Sequence, residues 1–373
     1  MKEQRRAIRR SIDPLYTRVR TILESARSNA ARSVNTTQVM ASWLIGREIV
    51  EEEQRGSVKA EYGTRLLSEI SYRLTHEFGS GYSVDNLELF RRFYREYPIL
   101  ISDALPRKSR HASLRKYHAV HSPSWKPGLL HPNLSWTHYR TLLRVDRAEV
   151  RAFYEIEALK NNWSSRELER QINSLLYERL SLSKDKKGLM RLAIKGHEVQ
   201  KPTDIFKDPV VMEFLGLPES TRLVETDLEQ ALIDNLQSFL LELGKGFAFV
   251  ARQERLTLNG DHFYIDLVFY HTVLKCYVVI DLKTGKLTHQ DLGQLQLYVN
   301  YYDRERRTEG DGPTLGLILC ADKNDAVVKY TLGVDQQKKI FASRYKLYVP
   351  TEAELKTELR REVRLLEDGG NNP

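Results

Sequence analysis

Two strongly strand-forming runs, one directly after the other, restrict the possible fold more than any other feature of this chain. Residues 263–286 read FYIDLVFYHTVLKCYVVIDLKTGK, and Phe, Tyr, Val and Ile are the residue types most enriched in β-strands. A two-residue loop at Val273 and Leu274 would join the runs as an antiparallel hairpin. Each run carries one acid, Asp266 and Asp281. A fold built on this hairpin must therefore accommodate two carboxylates near its interior.

The same hairpin predicts that the two acids are neighbours. Strand side chains alternate between faces, so Asp266 shares a face with Tyr264, Val268 and Tyr270, and with this loop Asp266 lies directly opposite Asp281. Their Cβ atoms would be about 5 Å apart, and like charges at that distance destabilise a sheet. A divalent cation removes the repulsion, because two carboxylates, a backbone carbonyl and waters are ligands suited to Mg²⁺ or Mn²⁺.

Lys283 adds a positive charge to the predicted site. It lies two residues beyond Asp281 and hence on the same face of the strand. Two carboxylates, a metal ion and an ammonium group match the needs of phosphodiester hydrolysis, in which water is activated and charge builds on the phosphate. A lysine that only keeps a strand end soluble is the structural alternative. The joint spacing of the three residues favours the catalytic interpretation.

The elements around the hairpin predict an α/β domain, a mixed sheet flanked by helices. A helix is expected from Thr226 to Leu243, then a strand and an Asn259–Gly260 turn ahead of the hairpin. The elements expected after it are a helix at about 289–304, the strand TLGLILCA, a helix near 324–331, the strand KIFASRYKLYV and a C-terminal helix.

The first half of the chain has the 3.6-residue apolar period of helices and predicts an all-α domain at residues 1–180. Residues 105–133 are basic, contain four prolines and predict an irregular segment, and 181–200 predict a linker to a domain at 201–373. The apolar stripes are Val39, Trp43, Gly46 and Val50; Tyr62, Leu66, Ile70, Leu74 and Phe78; and, after a start at Ser83, Leu87, Phe90, Tyr94 and Tyr97.

A predicted helical pair, roughly 147–160 and 164–180, is compatible with a helix-turn-helix. Ser164 and Glu167 form a capping-box signature at the start of its second helix. That helix displays Arg166 and Arg170, which are therefore candidates for nucleic-acid binding. Any tight helical hairpin has the same pattern, so a purely structural hairpin stays open.

Composition sets outer limits on function. The net charge of +8 favours a polyanionic partner without identifying one. The only cysteines, Cys276 and Cys320, lack the spacing of a zinc site or a disulfide framework. Neither a signal-peptide pattern nor an apolar stretch of membrane-spanning length is seen, so we expect a cytoplasmic protein that does not bind membranes.

The motifs of the second half resemble the PD-(D/E)xK nuclease superfamily, and from about Lys201 onward the YhcG-type bacterial nucleases. The resemblance rests on the segments FYIDLVFYH, VVIDLKTGK and GQLQLYVNYYD, and on KDPVVMEFLGL and LELGKGFAFVARQ, which precede them in the chain. In this resemblance Asp266 takes the place of the first acid, and Asp281, Leu282 and Lys283 that of (D/E)xK, with Ile265 where the signature has proline. It implies a metal bound by Asp266, Asp281 and the Leu282 backbone carbonyl.

Three further residues enter through the resemblance. Gln294 and Tyr298 match the QxxxY element of RecB-like members, in which this helix face borders the active site. Tyr298 as a plain core aromatic is the structural alternative. Glu229 is the candidate for an acid supplied by the first helix, against a capping box with Thr226.

The N-terminal half resembles the domain of unknown function that precedes the nuclease in the YhcG-type family, notably in LSWTHYRTLLRV and NNWSSRELERQI. The resemblance implies DNA as substrate and a bacterial context with partner proteins of a defence system. We therefore expect a Mg²⁺-dependent nuclease, compatible with a homodimer. The alternatives are a catalytically weak DNA-binding or regulatory module, and RNA as the substrate.

Overall fold

The computed structural model describes residues 20–21, 23–24, 34–54, 60–98, 126–181, 186–217, 223–351, 353–354 and 357. Its contacts divide the chain into two compact units, Met1–Glu169 and Arg170–Pro373. Among the residues described, no helix is both long enough and apolar enough to cross a membrane.

The described part of the first unit is helical, as predicted. Its helices are α1 (34–54), α2 (Ala60–Phe78), α3 (Val84–Glu96), α4 (Trp136–Leu142), α5 (Ala148–Lys160) and the start of α6 (Ser165–Asn173). α3 begins after Ser83, whose hydroxyl accepts the N–H of Asn86. Of the stripe predicted on α2, Ile70 and Leu74 pack against the core, Phe78 is 62% exposed, and Leu67, outside the stripe, is buried.

α1 and α3 pack in close contact, and Gly46 is the residue that permits it. A Cβ atom on Gly46 would lie 2.0 Å from the backbone carbonyl oxygen of Phe90. Val39 and Trp43 on α1 and Phe90 on α3 are all nearly fully buried. The glycine in the first predicted stripe is therefore a packing residue, and the two helices cannot keep this separation around a larger side chain.

Glu155 is a buried acid of α5 in this helical unit. Its carboxylate accepts the hydroxyl of Tyr97 at 2.5 Å and the N–H of Gly128 at 2.8 Å. Burial raises the pKa of Glu155 from 4.5 to about 7, although these two hydrogen bonds and the charge of Arg151 oppose the rise. The helical unit therefore contains a carboxyl group that takes up a proton near neutral pH.

The second unit is an α/β fold with a mixed sheet, as predicted, and the sheet has six strands. The strand order is β1-β6-β5-β4-β3-β2, with β2, β3 and β4 antiparallel and β4, β5, β6 and β1 parallel. The strands are β1 (Val210–Val211), β2 (Phe247–Leu258), β3 (Asp261–His271), β4 (Cys276–Lys286), β5 (Leu315–Asp322) and β6 (Ile340–Lys346). The helices are α7 (Leu176–Ser181), α8 (Lys186–Lys195), α9 (Glu225–Asp234), α10 (Leu236–Leu243), α11 (His289–Tyr301) and α12 (Asp325–Thr331).

Helices cover both faces of the sheet, so the central strands are buried on two sides. On one face Leu228 and Phe239 of α9 and α10 pack against Ile280 of β4. On the other face α11 supplies Leu295, which packs in a cluster with Val279 of the same strand. Consecutive residues of β4 thus serve opposite layers, which is why its sequence reads as a continuous apolar run.

Several predicted boundaries were wrong for local reasons. The helix expected from Thr226 to Leu243 is divided at Asn235 into α9 and α10, and the one expected at 164–180 is divided near Leu175, which has a φ of 54°. The stretch predicted as a linker contains α8. β1 was missed because two residues are too short for a periodic signal. In the expected irregular segment, 105–125 lies outside the described residues, and so does most of the predicted C-terminal helix.

Within the second unit, a buried ion-pair network joins Arg170 and Arg179 to Glu242 of α10. Glu242 is fully buried and lies 2.5 Å from Arg179 and 3.3 Å from Arg170. Burial acts to raise the pKa of Glu242, but Arg179, Lys207 and Arg170 outweigh it and hold that pKa at about 2. Removing any one of these partners would leave an uncompensated buried charge.

We predict that Gly46→Ala destabilises the helical unit. Inserting a methyl group against a backbone oxygen forces the helices apart, which costs about 1–3 kcal/mol in packed cores. Gly293→Ala is the control, since Gly293 of α11 has no atom within 4 Å of its added Cβ. That change should be neutral or stabilise by up to about 1 kcal/mol. Thermal and urea unfolding measure both, and equal stability of the two variants would contradict the close contact.

We also predict that Glu155 makes the stability of this unit pH-dependent. The pKa of Glu155 is higher in the folded than in the unfolded chain, so its contribution is present below pH 4.5 and is lost as pH rises through about 7. Glu155→Gln removes this proton uptake. Between pH 5 and 8 the unfolding free energy of the wild type should fall by about 2 to 3 kcal/mol relative to the variant. If urea unfolding gave the same pH dependence of the unfolding free energy for wild type and variant, the pKa of Glu155 would not be raised in the folded protein.

Candidate active site

The two hairpin acids come together where β3 and β4 stop pairing. The backbone pairs run from His271 with Cys276 to Leu267 with Ile280, and Asp266 and Asp281 are the next residues of the two strands. The loop has four residues, 272–275, and not two, yet the predicted register is kept. Beyond the last backbone pair, Asp266 Oδ2 accepts the N–H of Leu282 at 2.7 Å.

Lys283 is in contact with the second acid. Its Nζ lies 2.9 Å from Asp281 Oδ2 and 3.5 Å from Glu225 Oε2 at the start of α9. Burial acts to lower the pKa of Lys283, but Asp281 and Glu225 outweigh it and hold the pKa above its ordinary value. The lysine is therefore a permanent ammonium beside the acids, and it does not merely keep a strand end soluble.

Glu229 joins the acids from α9. The helix begins at Glu225 after an N-cap at Val224, so the alternative in which Glu229 closes a capping box with Thr226 is wrong. Its side chain is only 6% exposed. Glu229 Oε2 accepts the Nε2–H of Gln253 at 2.5 Å, and the same Nε2 donates to Asp266 Oδ1 at 3.0 Å. An amide from β2 thus joins the helix acid to the hairpin acid.

Gln253 was missed in the sequence because it interrupts the period of its strand. Its φ is 45°, in the left-handed region that is unfavourable for a residue with a Cβ atom. On either side of it, Arg252 donates to Gln230 of α9, whereas Glu254 accepts the hydroxyl of Tyr302 beyond α11. Arg252 and Glu254 would lie on the same face of a regular strand, but here they face opposite layers. Between them, the side chain of Gln253 points toward the acids. The adjacent RQ in FAFVARQERLTL carries no pattern that reveals this.

Next to Gln253, the side chains of β3 around Asp266 depart from the predicted alternation between faces. Ile265 and Val268 pack in one apolar cluster, although strict alternation would place them on opposite faces. Leu267 packs in the other cluster, and Tyr264 is 48% exposed. The prediction that Tyr264, Asp266, Val268 and Tyr270 share one face was therefore wrong, because the strand changes faces at Asp266.

Gln294 and Tyr298 lie beside the acids without touching them. Gln294 Nε2 donates to the Tyr298 hydroxyl, which donates to the backbone oxygen of Tyr264 at 2.9 Å. Tyr298 is completely buried in the core between α11 and the sheet. Burial raises its pKa, as do the charges of Asp281 and Asp266, although the Gln294 hydrogen bond opposes the rise. Tyr298 is thus both the core aromatic of the structural alternative and a neighbour of the acids.

The acids have too little positive charge around them, and this is the property that a bound cation would correct. Burial raises the pKa of Asp281 to about 7 despite Lys283, and the nearby Asp266 adds to the rise. Burial likewise raises the pKa values of Glu229 and Asp266. Asp281 Oδ2 and Glu229 Oε1 are buried oxygens without a hydrogen-bond donor in suitable geometry.

These oxygen donors fit a divalent cation in their chemistry, although their present arrangement is not a finished metal cage. Within the described ranges, no three His, Cys, Asp or Glu side chains are grouped closely enough to hold an ion. The candidate ligands are Asp266, Asp281 and Glu229, all with hard oxygen atoms of the kind that Mg²⁺ and Mn²⁺ prefer. The Leu282 carbonyl stays a predicted ligand, and its N–H is the group seen to hold Asp266.

The two arginines predicted to bind nucleic acid have different environments. Arg166 on α6 is exposed. Arg170 is 17% exposed, lies 2.7 Å from Glu213 Oε1 and donates to the backbone oxygen of Val211. The guanidinium of Arg170 is therefore committed to ion pairs in the second unit, whereas contact of either arginine with nucleic acid stays a prediction. The Ser164–Glu167 capping box is present.

Each half of the chain matches a known protein family. The family described as "YhcG PDDEXK nuclease domain" matches residues 203–360, and the family "DUF1016 N-terminal domain" matches residues 18–179. The protein called "Putative nuclease YhcG" from Escherichia coli (strain K12) is 36% identical over 353 residues, which cover 93% of each chain.

Solved structures match only part of the chain. A repair endonuclease from Pyrococcus abyssi is 16% identical over 36% of this chain and 50% of its own, with a TM-score of 0.24. The EndoMS-dsDNA2 complex is 15% identical over 36% of this chain and 47% of its own, with a TM-score of 0.26. On the family matches and the full-length similarity, the chain belongs to the YhcG family of PDDEXK nucleases.

Proposed function

We propose that this protein is a Mg²⁺-dependent nuclease that hydrolyses the phosphodiester bonds of DNA at the Asp266–Asp281–Lys283 cluster. The observation that carries the proposal is the charge balance there: a lysine ammonium lies 2.9 Å from Asp281, in a group of buried and half-buried acids whose pKa values are all raised. Such a group does not stabilise the fold, since apolar residues of similar volume could be buried there with a smaller free-energy penalty.

The roles of the residues follow from their positions. Asp266, Asp281 and Glu229 would hold the ion, which when bound supplies a polarised phosphate and a more acidic water. Lys283, still charged at neutral pH, would bind the non-bridging phosphate oxygens or orient the attacking water as negative charge develops. Gln294 and Tyr298 would support the β3 backbone beside Asp266 through the hydrogen bond to Tyr264.

DNA as the substrate is supported by the family and by the charge of the chain. A net charge of +8 favours a polyanion. In the second unit, Arg252 is 44% exposed, with its Nε 3.5 Å from Glu229 Oε1, so a cation lies at the rim of the acid cluster where a backbone phosphate could bind. A homodimer, partner proteins of a defence system and a cytoplasmic location stay predictions.

We predict that Asp281→Ala and Lys283→Ala each reduce cleavage of supercoiled plasmid in Mg²⁺ by about a hundredfold or more, because each removes a charge from the reacting centre. Chelation should abolish cleavage and Mg²⁺ or Mn²⁺ should restore it. The control is Lys338→Ala, an exposed lysine paired with Asp335 next to the start of β6. Cleavage unaffected by both active-site substitutions would remove the cluster from catalysis.

The same assay separates the alternatives. Tight DNA binding without cleavage in either metal would favour a regulatory DNA-binding module. Faster turnover of a labelled RNA than of the plasmid would make RNA the substrate. Linear and nicked products from circles would indicate internal cutting, whereas loss of linear DNA alone would indicate that the enzyme needs an end.

We predict that Arg166→Ala weakens DNA binding, whereas Arg170→Ala lowers stability. Loss of the exposed Arg166 should weaken DNA binding roughly threefold to tenfold and lower the salt slope by about 1, as expected for one phosphate contact. Loss of Arg170 breaks its ion pairs with Glu213 and Glu242, and should lower the Tm of the second unit. Binding titrations at several salt concentrations measure the first effect and calorimetry the second. Unchanged DNA binding by Arg166→Ala would confine α6 to a structural role.

A further inference from the structure

Gln253 bridges two acids that come from different elements. Its Nε2 donates to Glu229 Oε2 of α9 at 2.5 Å and to Asp266 Oδ1 of β3 at 3.0 Å. A side-chain amide nitrogen carries two N–H donors, so one nitrogen can satisfy both carboxylates at once. Gln253 also stands level with Asp266 on the adjacent strand, between the pairs Arg252 with Leu267 and Glu254 with Ile265.

The bridge determines which oxygens stay available. With Glu229 Oε2 bound to Gln253, the other oxygen, Oε1, is buried and has no hydrogen-bond donor. The nearest cation to Oε1 is Arg252, whose Nε is 3.5 Å away. Asp266 is held on both sides, by Gln253 on Oδ1 and by the Leu282 N–H on Oδ2. Neither carboxylate can rotate without breaking a hydrogen bond.

The backbone at Gln253 is unfavourable and aims the side chain at the acids. A left-handed φ of 45° is rare for a side chain of this size, and it persists only where the surroundings impose it. Glycine adopts the same conformation without a steric penalty. A glutamine at this position therefore indicates that its amide contributes something that a glycine would not.

We infer that Gln253 is a positioning residue for the metal site: its amide holds Glu229 and Asp266 side by side, leaves Glu229 Oε1 without a hydrogen-bond donor, and so increases affinity for a divalent cation. The inference rests on the proposed function, because it assumes that the acids bind an ion. Without the amide, two adjacent carboxylates repel and turn apart, and the ion must reorder them on binding.

The test measures metal binding in the absence of nucleic acid. Mg²⁺ and Mn²⁺ are titrated by calorimetry into the full-length wild type, Gln253→Gly, Gln253→Asn and Asp281→Asn. The rise in Tm that each metal causes is measured against the same variant without metal, so that an altered basal stability cancels. The matched control is Asn259→Gly, which relieves the same left-handed backbone, with a φ of 49°, in the turn of the β2–β3 hairpin.

Gln253→Gly should bind either metal about tenfold to a hundredfold more weakly than wild type, with a smaller metal-induced rise in Tm. Asn259→Gly should bind as the wild type does. Gln253→Asn, one methylene shorter, reaches only one acid and should be intermediate. Undiminished affinity in Gln253→Gly, with binding lost in Asp281→Asn, would overturn the inference and leave the proposed function standing. A wild type that binds neither metal would overturn both.

Discussion

The crowding of carboxylates at one end of the β3–β4 hairpin is the constraint to which the second unit is adapted. Asp266 and Asp281 follow the last paired residues of β3 and β4, and Gln253 joins Glu229 of α9 to Asp266. Burial raises the pKa of all three acids, and the charge of Asp266 adds to the rise at Glu229 and Asp281. A backbone N–H, an amide, one ammonium group and the guanidinium of Arg252 each compensate part of this negative charge. A divalent cation would complete the compensation.

The scaffold keeps this arrangement rigid by burying both faces of the sheet around it. β4 presents Ile280 to α9 and α10 and Val279 to the α11 side, so the strand that carries Asp281 and Lys283 is fixed from two directions. On the α11 side, the Tyr298 hydroxyl holds the backbone of Tyr264, two residues before Asp266. Charged groups without full compensation can persist only where the surrounding packing supplies the stability that they reduce.

Regular periodicity made much of this predictable from the sequence, and irregular backbone marks where prediction failed. The strand runs, the Asn259–Gly260 turn and the register that pairs Leu267 with Ile280 were confirmed. The left-handed Gln253 and the change of face at Asp266 break the two-residue period of a strand, so no pattern reveals them. Arg170 looked exposed on its helix because its partners Glu213 and Glu242 are distant in sequence.

The most direct test of the account is to locate a bound ion. Crystals of the full-length protein grown with Mn²⁺ and without nucleic acid would reveal the ion by its anomalous scattering. The account predicts one strong peak within coordination distance of Asp266, Asp281 and Glu229, and loss of that peak in Asp281→Asn. A wild-type cluster without a peak at saturating Mn²⁺, or a peak bound by other residues, would contradict the claim that these acids are arranged to share a cation.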